Sequence, residues 1–137
     1  MTGEHPDHPE HDPERQPDQS ASDDRGIAIA NALSTHDDPI EAAAHAASRI
    51  HEQLDGAPDL LMVFVTPHHA QRMGMIADTL RDSLRSSHML GVSASAVMSG
   101  ETEIGEGPGI AMLACSFPGV RISPFWVDHI SPRDKQD

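Results

Sequence analysis

Residues 87–119 read SHMLGVSASAVMSGETEIGEGPGIAMLACSFPG, and this stretch holds the residue types that could do chemistry. Gly105, Gly107 and Gly109 superficially suggest a phosphate cradle. Phosphate loops run from a strand into a helix whose N-terminal amides hold the anion. Here an apolar strand follows, no Gly-Lys-Ser/Thr is present, and Glu101, Glu103 and Glu106 would repel phosphate. Pro108 and the glycines are better read as turn chemistry. A serine nucleophile is also disfavoured. GVSAS lacks the second glycine of a G-x-S-x-G elbow, and scattered Ser, His and Asp do not make a triad. Cys115 lies inside the apolar run IAMLACSF, where a thiol is a small core residue more often than a nucleophile. His68 and His69 are adjacent, and adjacent residues do not share a helix face. We therefore expect no catalytic residues, no metal and no cofactor. His5, His8 and His11 recur among carboxylates, but the intervening prolines oppose a helix that would align them.

Positioning such groups falls to elements that the pattern outlines. GIAIANALS alternates and fits a first strand, though its alanines weaken the signal. Asp38, Pro39 and Glu41 form the start of a helix, with Asp as cap, Pro at the first helical position and a capping-box spacing. Its expected apolar stripe is Ile40, Ala43, Ala44, Ala47, Ile50 and Leu54. DLLMVFVT is a near-continuous apolar run and predicts a strand covered on both faces. Thr66 and Pro67 open a second helix with the stripe Met73, Ile76, Ala77, Leu80 and Leu84. HMLGVS is a third strand. After it the helical period vanishes, and IAMLACSF and VRISPFWV predict two further strands joined at Pro118 and Gly119.

The expected fold class is α/β, with a mixed sheet from a β-α-β-α-β unit followed by an antiparallel β-meander. Crossover connections make the first three strands parallel neighbours or near-neighbours. The later strands would extend the sheet antiparallel. With no helix left to cover that end, one sheet face must be solvated or must meet something outside the chain.

In such sheets ligands sit beyond the carboxyl ends of parallel strands. The first strand exits into Ser34, Thr35 and His36, the second into Thr66, Pro67, His68 and His69, and the third into Ser93, Ala94 and Ser95. We take Thr35, Thr66, His68, Ser93, Ser95 and Gly100 as candidate ligand-binding residues. The helix starting at Pro67 has no acid in its first turn, so its amides could take a carboxylate. Asp37, Asp38 and Glu41 at the other helix start could receive an ammonium, and a zwitterionic amino acid would satisfy both. The plainer alternative makes Thr66 and Asp38 caps only, and Ser93 and Ser95 turn formers.

The chain has 137 residues, enough for one ordinary domain. Residues 1–25 combine proline, histidine and acid without an apolar run, and predict a disordered acidic tail. That tail carries about half of the net charge of −13. The domain is expected over 26–128, with a polar tail over 129–137. The acidic balance disfavours nucleic acid and anionic membranes as partners. One cysteine permits no intrachain disulfide and fits a cytoplasmic setting. No signal-peptide pattern and no apolar run of about 20 residues is visible.

Four pieces in order, ALSTHDDPIEAAAHAASRI, PDLLMVFVTPHH, MLGVSASAVMSGETEIGEGPGIAMLACSFPGV and a following PF, resemble the N-terminal FIST domain. The similarity covers roughly 26–125, and its most specific part is the aliphatic–Gly-x-Ser strand end followed by SGETEIGEGPG. The resemblance implies sensing of small metabolites, amino acids among them, in bacterial signal transduction, without catalysis. It also implies a continuation into a C-terminal FIST portion, so the chain is expected to be a truncated product, a fragment or half of a split protein. Val92 departs from a common family form, in which cysteine follows the glycine. The expected function is a small-ligand sensory module with a FIST C-terminal portion or a signalling protein as partner. The alternative is an interaction half-domain, without a ligand, that completes its sheet with a partner chain. A hydrolase or acyltransferase using Cys115 or Ser93 ranks third.

Overall fold

The computed structural model describes residues 26–128, together with Gly3. The expected tails, with His5, His8 and His11, otherwise lie outside the described residues. The described chain is mixed α/β, in the order β1 (Ala28–Ser34), α1 (Pro39–His51), β2 (Leu60–Val65), α2 (Pro67–Ala70), α3 (Met73–Leu84), β3 (His88–Ser93), β4 (Val97–Ser99), β5 (Thr102–Ile104) and β6 (Ile110–Ser116).

Helix α1 starts where Asp38 and Pro39 place it. The Asp38 carboxylate accepts the N–H groups of Ile40 and Glu41, both at 2.9 Å, and so satisfies donors that the helix itself leaves free. The buried face is Ala42, Ala43, Ala46, Ala47 and Ile50. Ile40 and Ala44 of the expected stripe are exposed. The helix is turned so that its alanine side meets the sheet, where small side chains permit close approach. The second expected helix is broken. α2 is a single turn, Arg72 leaves helical geometry at φ −105°, and α3 begins at Met73. Within α3 the stripe stands as expected, with Ile76, Leu80 and Leu84 buried.

The main sheet has the order β1-β6-β2-β3. β2 and β3 are parallel neighbours, as expected. β1 is separated from them by β6, which runs antiparallel to both β1 and β2. The late strand therefore fills the centre of the sheet rather than extending its end. IAMLACS suits that place because it is apolar on both faces. VRISPFWV, the other expected late strand, forms no strand. β4 and β5 make a separate hairpin, turned at Gly100 with φ 60°, a conformation that glycine adopts without strain.

The two sheet faces differ. On one, Ala30, Ala32, Leu61, Val63, Val65, Ile110, Met112 and Ala114 join the buried faces of α1 and α3 in a single core. Among the described residues, no helix covers the other face. Its register gives three rows across the strands: Ile29, Cys115, Leu60 and His88; Asn31, Leu113, Met62 and Leu90; Leu33, Ala111, Phe64 and Val92. The β4–β5 hairpin packs mainly over the β1–β6 side, through contacts of β4. β2 is thus half-covered on this face instead of buried on both.

The rotated stripe of α1 has a direct test. Ala46 is fully buried and Ala44 exposed. Ala46→Glu places an unpaired charge in the core and should cost several kcal/mol, on the order of 3 or more. Ala44→Glu should change stability by less than about 0.5 kcal/mol. Urea unfolding followed by circular dichroism distinguishes this register from the one with Ala44 inside.

Candidate functional site

Because β1, β2 and β3 are mutually parallel, their carboxyl ends do lie at one edge of the sheet. Thr35, His68, Ser93 and Ser95 are exposed there. They do not close on one point, since β6 intervenes and sets β1 about 10 Å from β2, two strand spacings. The polar groups that face inward at this edge are already paired. The Ser34 hydroxyl lies 3.1 Å from His45 Nδ1, and His69 Nε2 lies 3.0 Å from the His36 carbonyl oxygen. His69 is therefore a satisfied buried histidine, while His68 faces solvent.

Thr66, the most buried of the candidate residues, has a structural task. Its hydroxyl donates to the Gly107 carbonyl at 2.8 Å and accepts the Gly109 N–H at 3.0 Å. The Thr66 N–H donates to the Gly109 carbonyl, also at 3.0 Å. Both hydroxyl roles are filled, and β6 is held at its entry into the sheet. A helix start at Pro67 does not offer the expected carboxylate seat, because α2 is only four residues long. At the expected ammonium seat, one oxygen of Asp38 caps its own helix, and Asp37 and Glu41 are exposed.

At the opposite end of β2, Asp59 performs the same service. Its carboxylate accepts the Phe117 N–H at 2.6 Å, its N–H donates to the Cys115 carbonyl, and its carbonyl accepts from His88. The sequence reading did not single out Asp59. Its signal was an acid placed directly before an apolar strand, which is also common at ordinary strand starts.

Gly100 belongs to a different place. With Ser99 and Met98 it borders a groove of about 260 Å³ between the hairpin and the open sheet face, whose lining includes Asn31, Phe64 and Leu113. The Ser99 hydroxyl donates to Asn31 Oδ1 at 3.0 Å, which ties the hairpin to β1. Asn31 was also missed, although a polar residue inside an apolar strand, at an outward position of the alternation, was a legible signal. Its backbone is engaged as well. The Gln53 amide accepts the Asn31 N–H at 3.3 Å and donates to its carbonyl at 2.7 Å. Gln53 thereby covers the outer edge of β1.

A second cavity of about 260 Å³ lies on the helix side of β3, among Val63, Met73, Ile76, Leu80, Met89 and Arg81. Gly91, which contributes no side chain, is part of its lining. Cys115 is buried in the first row of the open face, and loss of water around it pushes its thiol above the ordinary value. That environment suppresses the thiolate that nucleophilic chemistry would require.

No protein-family model matches the chain, and no curated protein matches it in sequence.

Two outcomes check these assignments. Thr66→Val should destabilise the fold by about 1–3 kcal/mol, because it leaves the Gly109 N–H buried and unpaired, while Thr66→Ser should retain most of the stability. Chemical denaturation of the pair measures this. Cys115 in the folded protein should react with a thiol reagent at pH 8 at least tenfold more slowly than after unfolding in urea, as followed by absorbance of the released group.

Proposed function

We propose that the chain is a small-ligand-binding sensory module of the FIST type, with its ligand in the groove between the β4–β5 hairpin and the open sheet face. The observation that carries this reading is the meeting of the Asn31 amide and the Ser99 hydroxyl beside Phe64 and Leu113 in one concavity. Ligand sites combine a mostly apolar lining with a few placed polar groups. Its volume of about 260 Å³ lies just below the usual range of small-molecule pockets and so suits a small ligand. The resemblance to the FIST domain supports small-metabolite sensing without a chemical step, in a cytoplasmic signalling setting.

The charge of the site selects among metabolites. Among the described residues no Lys or Arg lines the groove, so a carboxylate finds no countercharge from them there. Glu101 and Glu103 stand exposed on the hairpin beside Gly100 and favour an ammonium group. The ligand class is therefore a small amine, or an amino acid whose carboxylate points to solvent. This reverses the preference expected from the strand ends, where the carboxylate was to be held.

A second reading has its own support. The interaction half-domain, closing its sheet against another polypeptide, is favoured by the uncovered apolar rows and by the contrast between the sheet edges. Gln53 covers β1, and nothing among the described residues pairs with the outer edge of β3.

Thermal denaturation with paired ligands tests the sensory reading. Amino acids and their decarboxylated amines should both raise the midpoint. A true ligand at a hundredfold excess over its Kd contributes about 2.7 kcal/mol. Asn31→Ala should weaken binding by about 1 kcal/mol, roughly fivefold in Kd. If no member of the panel stabilises the protein, or if the effect survives Asn31→Ala unchanged, the groove is not the site.

A further inference from the structure

We propose that the bare β3 edge and the open face beside it receive residues 120–127 of a second copy of this chain, in a reciprocal two-fold dimer. The inference rests on the reading of the chain as a sheet-completing interaction module, and names its partner.

The acceptor is defined by hydrogen bonding. His88 and Ala94 donate to Asp59 and Val65 on the β2 side. Strand alternation then directs the backbone groups of Met89, Gly91 and Ser93 outward, away from β2. Edge strands are ordinarily blunted by lysine, proline, a bulge or a covering element. HMLGVS carries none of these, whereas Gln53 covers the other edge. Both faces of β3 are also thinly covered. Leu90 and Val92 are exposed on the open face, and the cavity under α3 adjoins Met89 and Gly91 on the other.

The donor is in the same chain. VRISPFWV has strand-forming composition but forms no strand within its own fold. Trp126, the only tryptophan, is 94% exposed, and Phe125 is 85% exposed. Exposed adjacent aromatics outside any element are costly to leave in water and suit an interface anchor.

Area and charge favour a second copy. Two aromatics present on the order of 400 Å². Counted on both copies and doubled for the surfaces they cover, they reach about 1,600 Å², the size of a stable interface. The three rows of the open face contain no Asp, Glu, Lys or Arg, although the chain carries a net charge of −13. Like-charge repulsion between copies therefore arises away from the contact, and salt should screen it.

The test uses the full chain, with Trp126 as the reporter. Sedimentation and tryptophan emission are measured over a concentration series at about 50 and about 500 mM salt. A dimer that tightens with salt, with Trp126 emission shifting to the blue as it forms, supports the proposal. Phe125→Asp on the donor and Leu90→Lys on the acceptor should each weaken dimerisation at least tenfold with unchanged circular dichroism. A dimer insensitive to both substitutions overturns it, as does a monomer with Trp126 shielded, which would mean that the segment closes on its own sheet. A monomer with Trp126 in water at every concentration also overturns it. In that case a hydrophobic dye separates the two levels of the argument: binding lost in Leu90→Lys leaves the face available to a different partner chain, and no binding removes the interaction reading as well.

Discussion

The structure depends on β6 being threaded between two parallel strands. Residues 110–116 pair with β1 on one side and β2 on the other, antiparallel to both. The last strand among the described residues thus lies in the middle of the sheet and must be registered at both ends. β2 supplies both fixings through single polar side chains. Thr66 grips Gly107 and Gly109 where β6 enters, and Asp59 grips Phe117 where it leaves. Gly109 fits there closely, since an added Cβ would stand 3.0 Å from a Val97 methyl and 3.1 Å from the Thr66 methyl and would press its neighbours aside by a few tenths of an ångström. The approach of the loop to Thr66 and the hydrogen bond it makes are thus one constraint.

Consequences for function follow from that threading. With β6 in the centre of the sheet, α1 and α3 cover one face and leave the other apolar and largely open. Ser34, Thr66 and His69 at the strand ends are spent on internal hydrogen bonds, while Thr35, His68, Ser93 and Ser95 stand exposed. A concavity bordered by Asn31 and Ser99 forms where the β4–β5 hairpin bends over the open face. The uncovered remainder, next to β3, is where we propose that a second copy adds.

Much of this was legible in the sequence, because the relevant signals are local. Asp38 and Pro39 mark the start of α1 through capping chemistry alone. The apolar runs of β2, β3 and β6 are visible without tertiary information, and so is the absence of a helix to cover the second face. What failed required knowledge of neighbours. The α1 stripe could be drawn through Ala44 or through Ala46, because alanine marks neither face strongly. The position of β6 depends on pairing with strands 45 or more residues earlier in the chain, which no local pattern encodes. Thr66 reads equally as a helix cap, a ligand group or a loop clamp until Gly109 is seen against it. Gly100 was named among the site residues, but its companions Asn31 and Ser99 are remote in sequence and meet only through the hairpin.

Amide hydrogen exchange of residues 110–116 tests the central position of β6 most directly. A strand paired on both sides has every N–H bonded, so all of these amides should exchange slowly and together, close to the rate set by global unfolding. An alternating pattern, with every second amide exchanging rapidly, would show one side of β6 unpaired. β6 would then lie at an edge, and the account of the open face built on its central place would be wrong.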